Sequence, residues 1–489
     1  MKKLGARLAL PVAGVVVVLL LAPAGASPAK SASVGFGTPV YVDRDLAGGE
    51  PEVMADPSHG TLVYSSHEGT THLYRNGLLE SPWGDFSFVS NYCNQVNVWT
   101  SPDAGVNWFR DHYLGTPCPT SPAINTGFSD PDLTMDDGGR IYDTGIDLVN
   151  DALFSSTDGG KTWDKGTPYC HNGDRPWLAG GRPNEVFMGT DTVEDALNHR
   201  VFVSTDGGQT CSVDGIPDFG TDPATGDSYT GFGKLYFDAA KQRLAEPTVY
   251  VDANGNSDGI GVSTWTRGDA AFTPHFITHT SLVGFFPVLA IDAADTIYTV
   301  WTPNARQAGT SGGCDGAQTP APNSVMLAYS TDFGRTWSQP VTLYRPANAR
   351  SFWPWVSAGD AGKISVVWYQ TEPGELADND CQFAHVHVFE AHVLNATNAR
   401  RTVSVVDAAG RPVHYGTVCQ GGTGCVATGK DRRLGDYFVT ALDTRGCVMI
   451  STADTMLVDP LTGAPLPISR PLFIHQNGGP ALRGKGVCS

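Results

Sequence analysis

Charge is scarce in this sequence: Asp, Glu, Lys and Arg together make up 17% of 489 residues. Coiled coils and disordered chains carry more. Basic residues are scarcer still, 32 Lys and Arg against 50 Asp and Glu, for a formal net charge of −18. Such a surface repels phosphate and argues against a nucleic-acid partner. No 10–15-residue amphipathic stretches alternate with strand-like runs, which excludes a parallel α/β sheet. None of the ten cysteines sits in a C-x-x-C pair, so zinc ribbons and thioredoxin-like sites have no support. A G-x-S-x-G elbow, H-E-x-x-H, a P-loop and a dinucleotide fingerprint are all lacking. No cofactor and no metal are expected.

Glycine (57) and proline (33) are abundant, and aromatics reach 10%. This composition predicts a turn-rich, all-β protein. The chain begins with a basic head, Lys2, Lys3 and Arg7, followed by an apolar run from Leu8 to Ala22 and the small-x-small sequence Ala24-Gly25-Ala26. This reads as a cleaved signal peptide over residues 1–26, leaving 27–489 as one secreted domain. No later run is long and apolar enough to span a bilayer, so no membrane anchor is expected after cleavage. An even cysteine count in an exported chain suggests disulfides. Spacing does not fix the pairing. Pairing of sequence neighbours is expected, including Cys314 with Cys381 and Cys447 with Cys488.

Four segments share the pattern S-x-D-x-G-x-T-W: Ser101-Pro-Asp103-Ala-Gly105-Val-Asn-Trp108, Ser156 to Trp163, Ser204 to Cys211 and Ser330 to Trp337. A degenerate fifth starts at Ser263. Each follows an alternating apolar strand such as Val201-Phe-Val203. The chemistry is that of a hairpin, with Asp accepting backbone N–H groups and Gly taking positive φ. Spacings of 48 to 67 residues indicate a propeller or array. The pattern resembles the Asp-box (BNR) repeat of the sialidase-like β-propellers, and the likeness extends over nearly the whole mature chain.

Seven strand pairs recur, starting near Pro51, Pro131, Pro176, Gly233, Pro287, Pro354 and Gly435. The expected fold is therefore a single seven-bladed β-propeller, with a six-bladed sialidase-type ring as the alternative. The seventh repeat lacks a fourth strand, which Thr38–Val42 can supply, leaving no open edge.

The resemblance implies that the Asp-box turns lie at the outer rim and that ligands sit at the central mouth, where the chain leads into each innermost strand. The lead-ins are Glu50-Pro-Glu52, Asp130-Pro-Asp132, Asp174-Arg-Pro-Trp177, Phe285-Phe-Pro287, Phe352-Trp-Pro-Trp355 and Arg432-Arg-Leu-Gly-Asp436-Tyr437. Proline is tolerated at strand starts, but the acids, arginines and tryptophans beside it are not explained by that. Carboxylates bind sugar hydroxyls and indole faces stack on sugar C–H faces. Glycoside cleavage needs two carboxyl groups. Asp130 or Asp132 with Asp436 is the candidate catalytic pair. Glu52, Asp174, Arg175, Trp177, Trp353, Trp355, Arg433 and Tyr437 are candidate substrate-binding residues. No residue falls in a catalytic sialidase motif, and the early Phe-Arg-Ile-Pro sequence of that family has no counterpart. Extended loops near 66–95, 303–324, 371–384 and 454–470 are candidate binding elements. His385-Val-His387 alternates along a strand, so both rings face one way. The pair could ligate a metal with a third donor, but a polar surface strand explains it as well.

The function expected is a secreted, monomeric, carbohydrate-active enzyme of sialidase-like type that hydrolyses glycosidic bonds, with carbohydrate or glycoconjugate as partner. The alternatives are a non-catalytic propeller that binds glycan or protein, and a polysaccharide lyase.

Overall fold

In the computed structural model every named strand pairs antiparallel, and the strands form seven separate sheets. The structure describes residue 1 and residues 33–489, except 70–71, 75–95, 111–126, 128, 147–149, 165–166, 193–197, 283–285, 308–319, 377–381 and 423. The signal sequence, Phe285, Cys93, Cys118, Cys314, Cys381 and much of three expected mouth loops lie outside the described residues.

Sheets follow chain order and are called blades 1 to 7. Blade 1 comprises Glu52–Asp56, Thr61–Ser66, Asn97–Ser101 and Phe109–Arg110. Blade 2 runs from Thr134–Met135 to Thr167–His171, and blade 3 from Gly173–Gly180 to Ile216–Pro217. Blade 5 runs from Val288–Ile291 to Val341–Tyr344, and blade 6 from Ser351–Ala358 to Thr402–Asp407.

Blade 4 departs from the expected pattern. Its innermost position is split between Ser228–Gly231 and Tyr236–Asp238, both paired with Arg243–Val251. An added strand, Phe219–Thr221, pairs with Ser228–Gly231. The chain bulges between the two inner pieces and carries Lys234 out of the ladder.

Blade 7 closes the ring. Its own strands are Val439–Leu442, Val448–Asp454 and Arg470–Gly478. The N-terminal segment supplies the outer edge: Val40 and Tyr41 pair with Phe473 and Leu472, and Gly35 and Phe36 with Gly478 and Gln476. The disulfide Cys447–Cys488 ties the C-terminal tail to this blade. Cys170–Cys211 and Cys419–Cys425 are also bonded, so sequence neighbours pair at all three described bridges.

Polar contacts cross every interface of the circle. Ser65 Oγ donates to Asp143 (2.8 Å) between blades 1 and 2, and Leu178 N–H to Asp132 (2.6 Å) between 2 and 3. His199 meets Glu246 at 2.7 Å between 3 and 4. Arg243 lies 3.8 Å from Asp295 between 4 and 5, and Gly362 N–H donates to Asp292 (2.8 Å) between 5 and 6. Tyr369 and Thr452 hydroxyls meet at 2.8 Å between 6 and 7. Ser451 Oγ donates to Pro51 O (2.9 Å), joining blade 7 to blade 1. One large apolar cluster, with Tyr64, Phe187, Tyr298, Trp368 and Phe473 buried in it, links blades 3 to 7 and blade 1, while blade 2 packs on its neighbours through two separate clusters around Phe154 and Tyr142.

The four S-x-D-x-G-x-T-W segments adopt one turn, each joining the third and fourth strands of its blade. In the first, Ser101 Oγ donates to Asp103 (2.9 Å) and accepts Gly105 N–H (2.9 Å), Asp103 accepts Asn107 N–H (2.8 Å), and Trp108 Nε1 donates to Gly105 O (3.1 Å). The Ser and Asp bonds recur around Asp158, Asp206 and Asp332, and the indole bond recurs at Trp163. Hydrogen bonds from residue i+4 hold the Asp103 and Asp332 carboxyls below the ordinary range. These acids are spent on their own turns. A second acidic turn joins the first two strands of four blades. Asp56, Asp136, Asp292 and Asp443 each accept the N–H two residues on, at 2.7 or 2.8 Å. The 252–258 segment is likewise a turn, in which Asp252 accepts Asn254 and Asn256 N–H.

Ring closure by the N-terminus makes a direct prediction. A chain beginning at Asp43 leaves the 470–478 strand with a bare edge, which invites pairing with another copy. Size-exclusion chromatography should then show self-association, and thermal melting a midpoint several degrees lower than that of a chain beginning at residue 27.

Candidate functional site at the axial mouth

Four residues that lead into innermost strands have left-handed backbones although none is glycine: Glu50 (φ 47°), Asp130 (φ 53°), Arg175 (φ 59°) and Trp353 (φ 48°). Each immediately precedes a proline. Such conformations cost about 1–3 kcal/mol each and persist only where the surroundings over-determine them. In blade 7 the same place is taken by Gly435 (φ 76°), where an added Cβ would stand 2.4 Å from Glu50 Cγ. The strain thus recurs around one ring of positions at the mouth.

Two residues after each of these positions, the chain points at the axis. Trp177, Trp355 and Tyr437 converge there with ring centroids 5.0–5.8 Å apart, and Phe286 packs on Trp177 at 5.4 Å. All three are at least 96% buried, and Tyr437 Oη donates to Pro131 O at 2.6 Å. Trp355 and Tyr437 are stacked and Trp177 is tilted against both, so the three rings form one packed layer. Burial of each ring contributes about 1.5–3 kcal/mol. Trp353 is also buried, against Phe352 and Tyr369.

Above the aromatic layer lies a cluster of opposite charges. Arg432 binds Asp436 through both ends of its guanidinium (2.6 and 2.7 Å), and Glu50 stands 3.7 Å away on the same group. Glu50 also meets His72 Nε2 at 2.8 Å, while Ser129 Oγ donates to Asp130 at 2.6 Å. On the opposite flank Arg175 binds Asp191 at 3.1 Å and lies over the Phe232 ring at 4.8 Å. Asp174 is exposed, Asp130, Arg175 and Asp436 are half-buried, and Glu50 is buried.

This environment pushes the carboxyls apart. Burial would raise Asp436, but the Arg432 guanidinium overrides it and holds the group below the ordinary range. Burial lifts Glu50 to about 7, Asp436 adding to the rise and Arg432 opposing it. Burial, then the charges of Glu50 and Asp174, raise Asp130 well above the usual carboxyl value. Asp436 therefore gives up its proton at lower pH than an ordinary carboxyl, and Asp130 keeps its proton to higher pH.

The other predicted residues are placed apart from this cluster. Asp132 is wholly buried, accepts Leu178 N–H and is bound by Lys234 Nζ, which also donates to Leu133 O at 3.0 Å. Glu52 is buried in the same field, its carboxyl raised by burial against the pull of Lys234. The Arg433 fork is taken by Asp431 (2.6 and 2.9 Å) and Leu466 O. Its neighbour Arg432 faces the mouth instead. Among the described residues two arginines, Arg175 and Arg432, reach this cluster.

Several participants carry no motif. Arg432, His72 and Asp191 join the mouth, and behind Asp191 a buried chain continues through His199 (2.8 Å) to Glu246 (2.7 Å). The flanking acids hold His199 well above its ordinary value against the effect of burial. The x-Pro lead-in was the only signal that could have drawn attention to Glu50.

No protein-family model and no curated protein matches this sequence. Among solved structures it is similar to an ulvan lyase of a polysaccharide lyase family, at 11% identity over 88% of this chain and 96% of the other, TM-score 0.44. It is similar to a leech intramolecular trans-sialidase at 11% identity, over 90% and 70% of the two chains, TM-score 0.39. A Fusarium graminearum α-L-arabinofuranosidase is 15% identical over 70% and 92%, TM-score 0.38. Likenesses this distant carry no argument about chemistry; the propeller rests on the strand pairing described above.

The raised Glu50 carboxyl ties stability to pH. Its folded value of about 7 lies above the ordinary 4.5, so the stabilisation is complete below 4.5 and is lost as pH rises through 7. The shift corresponds to roughly 3 kcal/mol. Urea unfolding of Glu50→Gln should show a flatter loss of stability across this window than the parent chain. A second expectation concerns Gly435→Ala, which places a methyl against Glu50 at a left-handed position. It should lower the unfolding free energy by about 1–3 kcal/mol.

Proposed function

We propose that this protein is an exported, monomeric propeller that binds carbohydrate at the axial mouth and hydrolyses a glycosidic bond there. Asp130 is the proton donor, and Asp436, held ionised by Arg432, is the base or nucleophile. The observation that carries the reading is the split in protonation. Two carboxyls whose surroundings drive their proton affinities in opposite directions supply the acid and the base of glycoside cleavage. Asp174 and Arg175, at the water-facing rim, offer an acceptor and a donor for sugar hydroxyls. Trp177, Trp355 and Tyr437 act as the floor that holds the charged layer in place. Three disulfides among the described residues, in a chain with a signal-like start, support export.

A second reading, binding without cleavage, is favoured by the same aromatic floor, which leaves the described part of the mouth no channel below the lead-in layer.

A panel of chromogenic glycosides and sialosides assayed with the mature chain separates the two. Cleavage should follow a bell-shaped pH profile, the acid limb set by Asp436 and the basic limb by Asp130. Asp130→Asn and Asp436→Asn should each lower kcat/KM by a factor of about 10²–10⁴. Glu50→Gln removes a negative neighbour from Asp130 and should shift the basic limb to lower pH. Activity that persists in both Asn variants refutes the assignment, and glycan binding without turnover of any substrate supports the second reading.

A further inference from the structure

Blade 6 carries a second group of convergent side chains on the same face of the ring, where the strand Lys363–Thr371 ends and Ala384–Leu394 begins. The connection between them starts Glu372-Pro-Gly-Glu375. His385 and His387 alternate along the returning strand and face the same way. His385 Nδ1 lies 3.1 Å from Glu375 Oε1 and 4.0 Å from Glu372 Oε2. One ligand atom from each of Glu372, Glu375 and His385 falls within 4.8 Å of the other two.

We propose that Glu372, Glu375 and His385 form a binding site for a divalent first-row transition ion of the zinc class. Zinc binds imidazole nitrogen and carboxylate oxygen at 2.0–2.2 Å in tetrahedral geometry. Donor atoms around one such ion therefore stand about 3.3 Å from each other. The separations of 3.1 and 4.0 Å bracket that value, so the ion needs only side-chain adjustment. An imidazole in the donor set selects zinc, cobalt or nickel over calcium and magnesium, which prefer oxygen throughout. Three protein ligands leave a fourth position for water.

The surrounding residues have the form of an outer ligand shell. His387 Nε2 lies 3.3 Å from Glu372 Oε1, and its other nitrogen, Nδ1, meets Asp407 at 2.7 Å. Asp407 thereby fixes the His387 ring, and His387 fixes Glu372. The His385 ring is stacked on Tyr415 at 4.3 Å, which sets its plane. Backbone also takes part, His385 N–H donating to Glu375 Oε2 at 2.6 Å. His387 and Asp407 are positioning residues in this arrangement. The site is independent of the mouth carboxyls and does not rest on the glycosidase reading.

Isothermal titration of the metal-stripped mature chain with zinc chloride tests the assignment, with cobalt(II) absorption as a second readout of tetrahedral nitrogen and oxygen ligation. One ion should bind per chain. His385→Ala and the isosteric Glu375→Gln should each weaken binding at least tenfold, and Asp407→Asn by about 10–100-fold, as expected for an outer-shell partner. His279→Ala serves as control, because His279 pairs with the single carboxylate Asp258 at 2.8 Å, and it should leave binding unchanged. Circular dichroism establishes that each variant is folded. Glu375→Gln decides the matter should His385→Ala fail to fold. No zinc uptake, or uptake unchanged by both His385→Ala and Glu375→Gln, overturns the proposal.

Discussion

Seven innermost strands converge on one axis, so the side chains that lead into them must share a confined space. Unpaired charges could not be held there. The structure meets this constraint in two layers. Below, Trp177, Trp355, Phe286 and Tyr437 fill the channel with rings. Above, the Arg432 guanidinium binds Asp436 and approaches Glu50, while Arg175 serves Asp191 on the opposite flank. Positive charge is outnumbered, and the excess is resolved by protonation, with Asp130 and Glu50 pushed upward and Asp436 downward. The chemistry proposed for the mouth follows from this shortage of cations.

The same constraint accounts for the backbone. A residue before proline is steered away from helical conformations, yet four such residues here are left-handed. Their positions repeat around the ring, so the distortion belongs to the geometry of entering a crowded axis. The surrounding ring tolerates it because hydrogen bonds or ion pairs cross all seven interfaces and the N-terminal strands cover the last edge. Outer turns spend their acids locally. Inner lead-ins leave theirs to one another, so the shared ion pairs Arg432–Asp436 and Arg432–Glu50 gather at the mouth.

Much of the architecture was legible because it repeats. Ser, Asp and Gly recur at fixed offsets, and in each copy the Ser hydroxyl accepts the Gly N–H. The x-Pro lead-ins mark the ring of positions that carries the left-handed backbones. Which side chains face the mouth was harder to read, because lead-in residues twist out of strand alternation. Arg432 and Arg433 are adjacent, yet the first faces Asp436 and the second is bound to Asp431. Asp130 and Asp132 are two apart, and the second is buried on Lys234, whose approach depends on a bulge in blade 4 that no pattern announces. Trp177 and Trp355 look like sugar platforms in sequence and form a floor in space. The His385-x-His387 pair was visible, but its carboxylates come from a turn ten or more residues earlier and become neighbours only when the strands pair.

The central claim is that two mouth carboxyls are driven in opposite directions, Asp130 upward and Asp436 downward. Carboxyl-carbon NMR titration of the labelled mature chain, with Asp130→Asn and Asp436→Asn used for assignment, measures this directly. The account predicts that the Asp130 resonance titrates well above the ordinary carboxyl range and the Asp436 resonance below it. Both carboxyls titrating together in the ordinary range near pH 4 would contradict it.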